Sequence, residues 1–409
     1  MKYFDLPPVI EQMLQAAEAI SDLNFSVGQA PQVEVNGQLR PVQPQGLQKL
    51  TPYQTEIIAM TLLHGNPDAA QRLAHTGSAD LSYSLPSRTR FRVNVFQQRG
   101  TYSIVMRVIP TEIPTIDTLS LPKQLADISE LRNGIVLVTG PTGSGKSTTL
   151  AAVIDLINLQ QHYHIVTIED PIEFLHTHKR STINQREIGS DARDFPSALR
   201  AALRQAPKVI LIGEMRDYET TEIALEAAET GHLVLSTLHT IDASKTVDRI
   251  IGLYPKNEEQ VIRTRLAQTF RYIVSQRLIP RADGRGRTAA VEILKSTPRT
   301  REYIAAGESD GKSLLDAMRD GRLDGMQDFD TVIKGMIEQE TVTLEHGLSF
   351  ATNPGNLQLA LKGMSSTDDF RPADSPVFTA KQRPAAPART FPAAPARPAG
   401  HGSMLDMLE

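Results

Sequence analysis

Apolar residues Val9, Ile10, Met13, Leu14, Ala17 and Ile20 recur at helical spacing, which predicts an amphipathic first helix ended by the polar pair Ser21-Asp22. The stretch Val33 to Leu39 alternates around Asn36-Gly37, the strongest short signal for a β-hairpin. After a helical stretch near Gln54 to Leu63, the runs Phe91–Phe96 and Tyr102–Ile109 alternate apolar and polar residues as half-buried strands do. Residues 1–110 are therefore expected to form a small α+β domain. Ile109-Pro110 and Ile113-Pro114 punctuate a linker expected over 111–120, because proline and the residue before it both resist helix.

From Gly134 the pattern changes to strand, glycine loop, helix and strand, with apolar runs at Ile135–Val138, Ile165–Ile168, Val209–Ile212 and Leu233–Leu235. Continuous rather than alternating apolar strands imply a parallel sheet covered on both faces. Helical sequence follows from about Glu258 to Gln276 and again from Lys312, so a second domain is expected over 121–361. Residues 362–409 are rich in Pro and Ala, with Pro-Ala-Ala-Pro-Ala-Arg at 384 and again at 392. Such sequence cannot bury a core and is expected to be a flexible tail of polyproline character. The final Ser403–Glu409 is too short for a domain and reads as a docking peptide or a frayed terminus.

Composition narrows the classes. With 409 residues, 40% of them hydrophobic and 22% charged, the chain can bury a core in each of two domains. Its 43 Lys and Arg against 47 Asp and Glu give a net charge of -4, so no overall basic field draws it to nucleic acid or anionic lipid. Cysteine is absent, which removes disulfides, thiolate zinc sites and Cys nucleophiles together. Met1–Pro8 lacks a secretory pattern, and no apolar run approaches the ~18 residues needed to span a bilayer. A cytoplasmic protein without direct membrane insertion is expected.

The chemistry centres on Gly140, Pro141, Thr142, Gly143, Ser144, Gly145, Lys146 and Ser147, which satisfy the P-loop pattern between the strand Ile135–Val138 and the helical Thr148–Leu156. The glycines let consecutive N–H groups turn toward a β-phosphate, and the helix starting there adds its positive dipole end. Lys146 is expected to neutralise the β- and γ-phosphates of ATP, and Ser147 to offer its hydroxyl to Mg²⁺. Two acidic segments, Glu169-Asp170-Pro171-Ile172-Glu173 and Gly213-Glu214-Met215-Arg216-Asp217, follow later strands, where a doubly wound sheet holds its ligand. A hydrolase needs one carboxylate to prepare water and another for the metal shell. An acid after a strand also serves as a helix cap, but successive acids behind a P-loop favour catalysis. His232 and His239 bracket another apolar strand, either as γ-phosphate sensors or as ordinary histidines. Seven residues apart and without companion ligands, they are not a metal pair.

These segments resemble, in order, those of the secretion-superfamily ATPases, and within them the PilT/PilU-like retraction motors of type IV pili, over about residues 1–361. Gly140–Ser147 matches Walker A, Thr167–Phe174 the Asp box, Gly213–Asp217 the Walker B segment and Gly231–Thr240 the His box. The resemblance implies an N-terminal PAS-like α+β domain, a RecA-like parallel-sheet ATPase domain and C-terminal helices. It further implies Glu173 as the carboxylate that prepares water, Glu214 as the Walker B glutamate near Mg²⁺, and catalytic or sensing roles for His232 and His239. Arg92 and Arg107, within Arg90–Asn94 and Met106–Pro110, match arginines that the family sets against ATP. A guanidinium there neutralises charge on the γ-phosphoryl group, while a solvated strand face is the alternative.

A homohexamer at the cytoplasmic side of the inner membrane, working on a platform protein at the pilus base, is what the family implies. The tetracysteine module of extension and secretion members is absent, which favours retraction. Pro298–Ile304 departs from the PilT-type segment at that place, and Gln205–Lys208 is less acidic than expected. An accessory PilU-like ring paired with a paralogous ATPase therefore stands as an alternative, as does an extension or secretion ATPase. DNA translocation is disfavoured by the neutral charge.

Overall fold

The computed structural model describes residues 5–85, 88–309 and 311–363. The Pro/Ala-rich tail and Ser403–Glu409 lie outside the described residues, apart from 362 and 363 at its start.

Helix α1 (Leu6–Leu14) buries Leu6, Val9, Ile10 and Met13 but stops earlier than the periodicity predicts. Ala19 turns the chain at a positive φ of 53°, and β1 (Ile20–Phe25) follows at once. Ser21 and Asp22 therefore lie inside a strand instead of ending a helix. β2 (Gln32–Val35) and β3 (Gln38–Pro41) meet through Asn36 and Gly37, both at positive φ, the geometry a two-residue hairpin turn requires. α2 (Pro52–Leu63) starts from a capping box made by Thr51 and Gln54. Then come α3 (Pro67–Thr76), β4 (Ser78–Leu85), β5 (Thr89–Gln98) and β6 (Thr101–Val108).

The six strands form an antiparallel sheet in the order β3-β2-β1-β6-β5-β4. Phe25, Phe91, Ile104 and Met106 are fully buried from its inner face and share one core with Ile10 and Ile58. The burial of alternate positions 91, 93 and 95 turns Arg90 and Arg92 to the opposite face. Residues 109–133 carry no strand. A 3₁₀ segment, Lys123–Glu130, buries Leu125 and Ile128 in the core beneath the second sheet.

That second sheet is built from β7 (Gly134–Thr139), β8 (His164–Glu169), β9 (Thr182–Glu187), β10 (Val209–Ile212), β11 (Leu233–Leu238), β12 (Phe270–Pro280) and β13 (Arg287–Lys295). The helices α4 (Lys146–Gln160), α5 (Phe195–Ala202), α6 (Tyr218–Glu229), α7 (Ala243–Ile251) and α8 (Glu259–Thr269) connect them. Strand order is β13-β12-β7-β11-β10-β8-β9, parallel except for β13. Every residue of β7, β10 and β11 is buried. Ile135, Leu137, Ile210 and Ile212 pack under α5–α8, while Val136, Val138, Leu211 and Leu235 pack under α4.

The helix expected to reach Gln276 ends at Thr269, because Phe270, Ile273 and Val274 enter the sheet beside β7. Aromatic and β-branched side chains fit such a buried pleat, and tertiary packing overrides the helical reading. The chain closes with α9 (Pro298–Ala306), α10 (Leu314–Asp320), α11 (Phe329–Glu338), α12 (Leu344–Phe350) and α13 (Pro354–Leu361). The Arg277 guanidinium lies 3.7 Å over the Phe329 ring, fixing α11 to β12. Among the described residues no helix is long and apolar enough to cross a membrane.

Candidate nucleotide site

The parallel order brings the C-terminal ends of β7, β8, β10 and β11 to one edge, where an α/β sheet holds its ligand. A cleft of about 970 Å³ opens there. Thr142, Gly143, Gly145, Lys146, Ser147 and Thr148 form its floor, and Ala19–Ser21, Arg107 and Val108 of the N-terminal sheet form part of its wall.

The loop after β7 needs its glycines. Gly140 has φ 146°, and a Cβ there would lie 2.4 Å from the Gln276 carbonyl oxygen. Gly145, at φ 90°, precedes the first residue of α4, so the helix N-terminus faces the cleft. Pro141 accepts the Ser144 N–H at 3.2 Å, closing the turn. Ser144 is buried, and its hydroxyl has no hydrogen-bond partner among the described residues.

Lys146 donates to the carbonyls of Gly140 at 2.8 Å and Pro141 at 3.1 Å. Burial pulls its ammonium below the ordinary lysine range, and nearby Glu214 opposes that pull. A partly desolvated ammonium at a helix N-terminus is suited to a dense anion, whose charge would offset the cost of that burial.

The segment after β10 divides its acids between two tasks. Asp217 caps α6 by accepting the Thr220 N–H at 2.8 Å, a bond worth about 1 kcal/mol. Glu214 turns into the cleft, accepting from Arg216 at 2.7 Å and from His239 Nε2 at 3.2 Å. Burial pushes the Glu214 carboxyl up, but the Arg216 hydrogen bond and His239 outweigh it and hold the group below the usual carboxylate range. With Nε2 donating, His239 presents Nδ1 as an acceptor toward Lys146, 3.5 Å away.

At the end of β8, Glu169 is tied inward by Thr167 at 2.6 Å and Gln185 at 3.1 Å, and burial raises its pKa. Glu173 remains exposed at the cleft. It is held there by its neighbour: Ile172 is buried, and its N–H donates to Glu187 at 3.1 Å.

The structure thus gathers Lys146, Ser147, Thr148, Glu173, Glu214, His239 and Arg107 around one cleft. His232 and Arg92 are not among them. His232 stands before β11, at the opposite edge of the sheet, where Nδ1 donates to the Ala227 carbonyl at 2.9 Å. This histidine anchors the turn after α6 within its own chain, and β11 separates it from His239 as the apolar run between them predicts. Arg92 faces solvent on β5 opposite Arg107, outside the cleft. Arg107 is itself steered by Asp22, which is buried and 3.1 Å from its Nε. The sequence alone gives Asp22, Arg216 and Glu187 no part in the site. Only Arg216, two residues beyond Glu214, sat within a recognised segment.

A glycine cradle at a helix N-terminus, with a carboxylate and histidine converging on its lysine, defines a P-loop nucleotide hydrolase. A family model described as Type II/IV secretion system protein matches residues 32–322. The type IV pilus retraction ATPase PilT of Pseudomonas aeruginosa is 40% identical over 341 residues, covering 83% of this chain and 97% of that protein. The type IV pilus ATPase PilU of the same organism is 38% identical over 348 residues, covering 85% and 89%. A crystal structure of the pilus retraction motor PilT with bound ADP superposes with a TM-score of 0.74 at 38% identity, over 86% of this chain and 98% of that one. The chain belongs to the type II/IV secretion system protein family and, within it, to the PilT/PilU-like pilus ATPases. It is an ATPase that binds nucleotide.

Proposed function

We propose that this chain hydrolyses Mg-ATP as a subunit of a homohexameric ring that drives retraction of a type IV pilus, and so twitching motility. The observation that carries the reading is the convergence of Lys146, Glu214 and His239 on one cleft that the N-terminal sheet also walls. Resemblance to PilT over nearly all of that protein supports retraction as the work done.

The oxygen donors present suit Mg²⁺, which takes one or two protein ligands together with phosphate and water. Ser147 and Glu214 would hold it, and no cluster of three or more metal-ligating side chains occurs among the described residues. The ion, when bound, offsets charge on the phosphates. Lys146 and the loop N–H groups bind and orient the phosphates. Glu173 accepts a proton from, and aligns, the attacking water. Glu214 is kept ionised by Arg216 and His239, and His239 links its state to Lys146. Arg107 adds positive charge from the N-terminal sheet, so closing that sheet onto the cleft couples catalysis to movement. Arg92, pointing away, is the residue to serve a neighbouring subunit's site. The platform protein of the inner membrane and a position at the pilus base complete the reading.

Steady-state phosphate release by the purified chain, beside Glu214→Gln and with oligomer mass measured by light scattering, tests it. Turnover by a hexamer that the substitution abolishes supports a self-sufficient motor. A second reading, an accessory ring that tunes a paralogous ATPase, draws on the nearly equal likeness to PilU. ATP binding with negligible turnover by the isolated chain selects it.

A further inference from the structure

Glu187 ends β9 at the edge of the second sheet, and its side chain is almost wholly buried. Its carboxylate is divided between two parts of the molecule. Toward the N-terminal sheet, Oε1 accepts the Ser82 hydroxyl of β4, and Oε2 lies 3.5 Å from the Arg90 guanidinium of β5. Toward the cleft, the same Oε2 accepts the Ile172 N–H, immediately before Glu173. Its own N–H is satisfied by Asp191 at 2.9 Å, so the orientation of the carboxylate is fixed from the backbone side as well. Among the described residues the buried Arg90 Nε has no partner of its own, and Glu187 is the one carboxylate paired with the guanidinium.

We propose that Glu187 is a positioning residue through which the N-terminal sheet sets the placement of Glu173 at the cleft. A displacement of Ser82 and Arg90 relative to β9 must either pull the carboxylate or leave a buried charge unpaired. Because one of the same oxygens holds the Ile172 N–H, the loop carrying Glu173 moves with it. The arrangement makes hydrolysis responsive to the position of a sheet that supplies no group to the water itself.

The inference rests on Glu173 acting in hydrolysis, and the test separates the two. Steady-state ATPase kinetics are measured for the full chain and for Glu187→Gln, Ser82→Ala, Glu173→Gln and the Glu187→Gln/Glu173→Gln double variant. Glu187→Gln is expected to lower kcat by about 10- to 100-fold, the scale of a small misplacement of a reacting group, with KM for ATP within about twofold of the parent. Ser82→Ala is expected to lower kcat less, again at constant KM. The double variant is expected to be no slower than Glu173→Gln alone, since Glu187 acts through that residue.

Multiplicative losses in the double variant, a rise in KM as large as the fall in kcat, or an unchanged kcat in Glu187→Gln would each overturn the proposal. If Glu187→Gln does not fold, Ser82→Ala and its double variant with Glu173→Gln decide by the same criteria. If Glu173→Gln alone leaves kcat intact, the role of Glu173 fails, and the proposal fails with it for a visibly different reason.

Discussion

His239 Nε2 lies 3.2 Å from Glu214 Oε2, and the other ring nitrogen of the same histidine faces the Lys146 ammonium at 3.5 Å. One imidazole therefore spans the Glu214 carboxylate and the Lys146 ammonium, two groups 68 residues apart in the chain (146 and 214). Removing it in His239→Ala takes away one of the contacts that hold Glu214 ionised. We expect turnover to fall by about 10²-fold or more, in the range of a positioned acid–base group. The Glu214 pKa should also rise, so the acid limb of the kcat–pH profile moves to higher pH. A limb that stays in place would show that Arg216 alone controls this carboxylate.

Lys146→Ala should weaken nucleotide binding by about 10- to 100-fold, the equivalent of about 1.5–3 kcal/mol for a charge-assisted hydrogen bond. Titration calorimetry with ADP reads this directly, and circular dichroism should be unchanged because Lys146 bonds only its own loop and the side chain of His239. Unaltered affinity would remove Lys146 from the phosphate site.

Arg107 and Arg92 should separate by mixing. Arg107→Ala is expected to reduce turnover in the subunit that carries it, since its side chain borders that subunit's own cleft. Arg92→Ala should be rescued in rings mixed with Glu214→Gln subunits, because an intact Arg92 then meets an intact Glu214 across an interface. Full activity of Arg92→Ala rings on their own would mean that Arg92 is a solvated strand residue, and a mixture no more active than the sum of the two inactive rings would mean that Arg92 does not act across an interface.

Glu292 is buried on β13, where burial pushes its carboxyl up to about 7, with Asp242 and Asp328 adding to the rise while the Ala243 N–H and Arg277 oppose it. The folded state thus binds this proton more tightly than the unfolded chain does. Stability from this group is full below the ordinary glutamate value of 4.5 and is lost as pH rises through about 7. Glu292→Gln, which cannot ionise, should raise Tm by a few degrees at about pH 8 and leave it unchanged at about pH 4.5. Thermal melts at the two pH values check the sign, and an equal shift at both would point to packing rather than ionisation.

Much of this site is legible in sequence because its signals are local. Gly140–Ser147 carries its own strand and helix context, and Asn36-Gly37 specifies a turn within two residues. The hydrophobic runs of β7, β10 and β11 announce burial on both faces before any contact is known. What stayed hidden depends on partners far along the chain. Asp22 reads as a helix stop until β6 brings Arg107 beside β1, and the run from Phe270 reads as helix until β7 offers it a neighbour. The strand between His232 and His239 is legible in the sequence, and β11 occupies it. Its six residues carry His232 and His239 to opposite edges of the sheet, a separation that a motif spanning both histidines does not state.

The glycine loop is backed by a strand made much later in the chain. Thr139 donates to Ser275 at 3.0 Å and Thr149 to Gln276 at 2.8 Å, across separations of 136 and 127 residues. During synthesis, then, the ribosome releases the whole glycine signature long before the wall behind it exists. A nascent chain that has not yet emerged past Gln276 carries the motif without the backing that shapes it. Nucleotide affinity should therefore arise late and abruptly in biogenesis, and ATP in the cell would stabilise only chains whose second sheet has already closed.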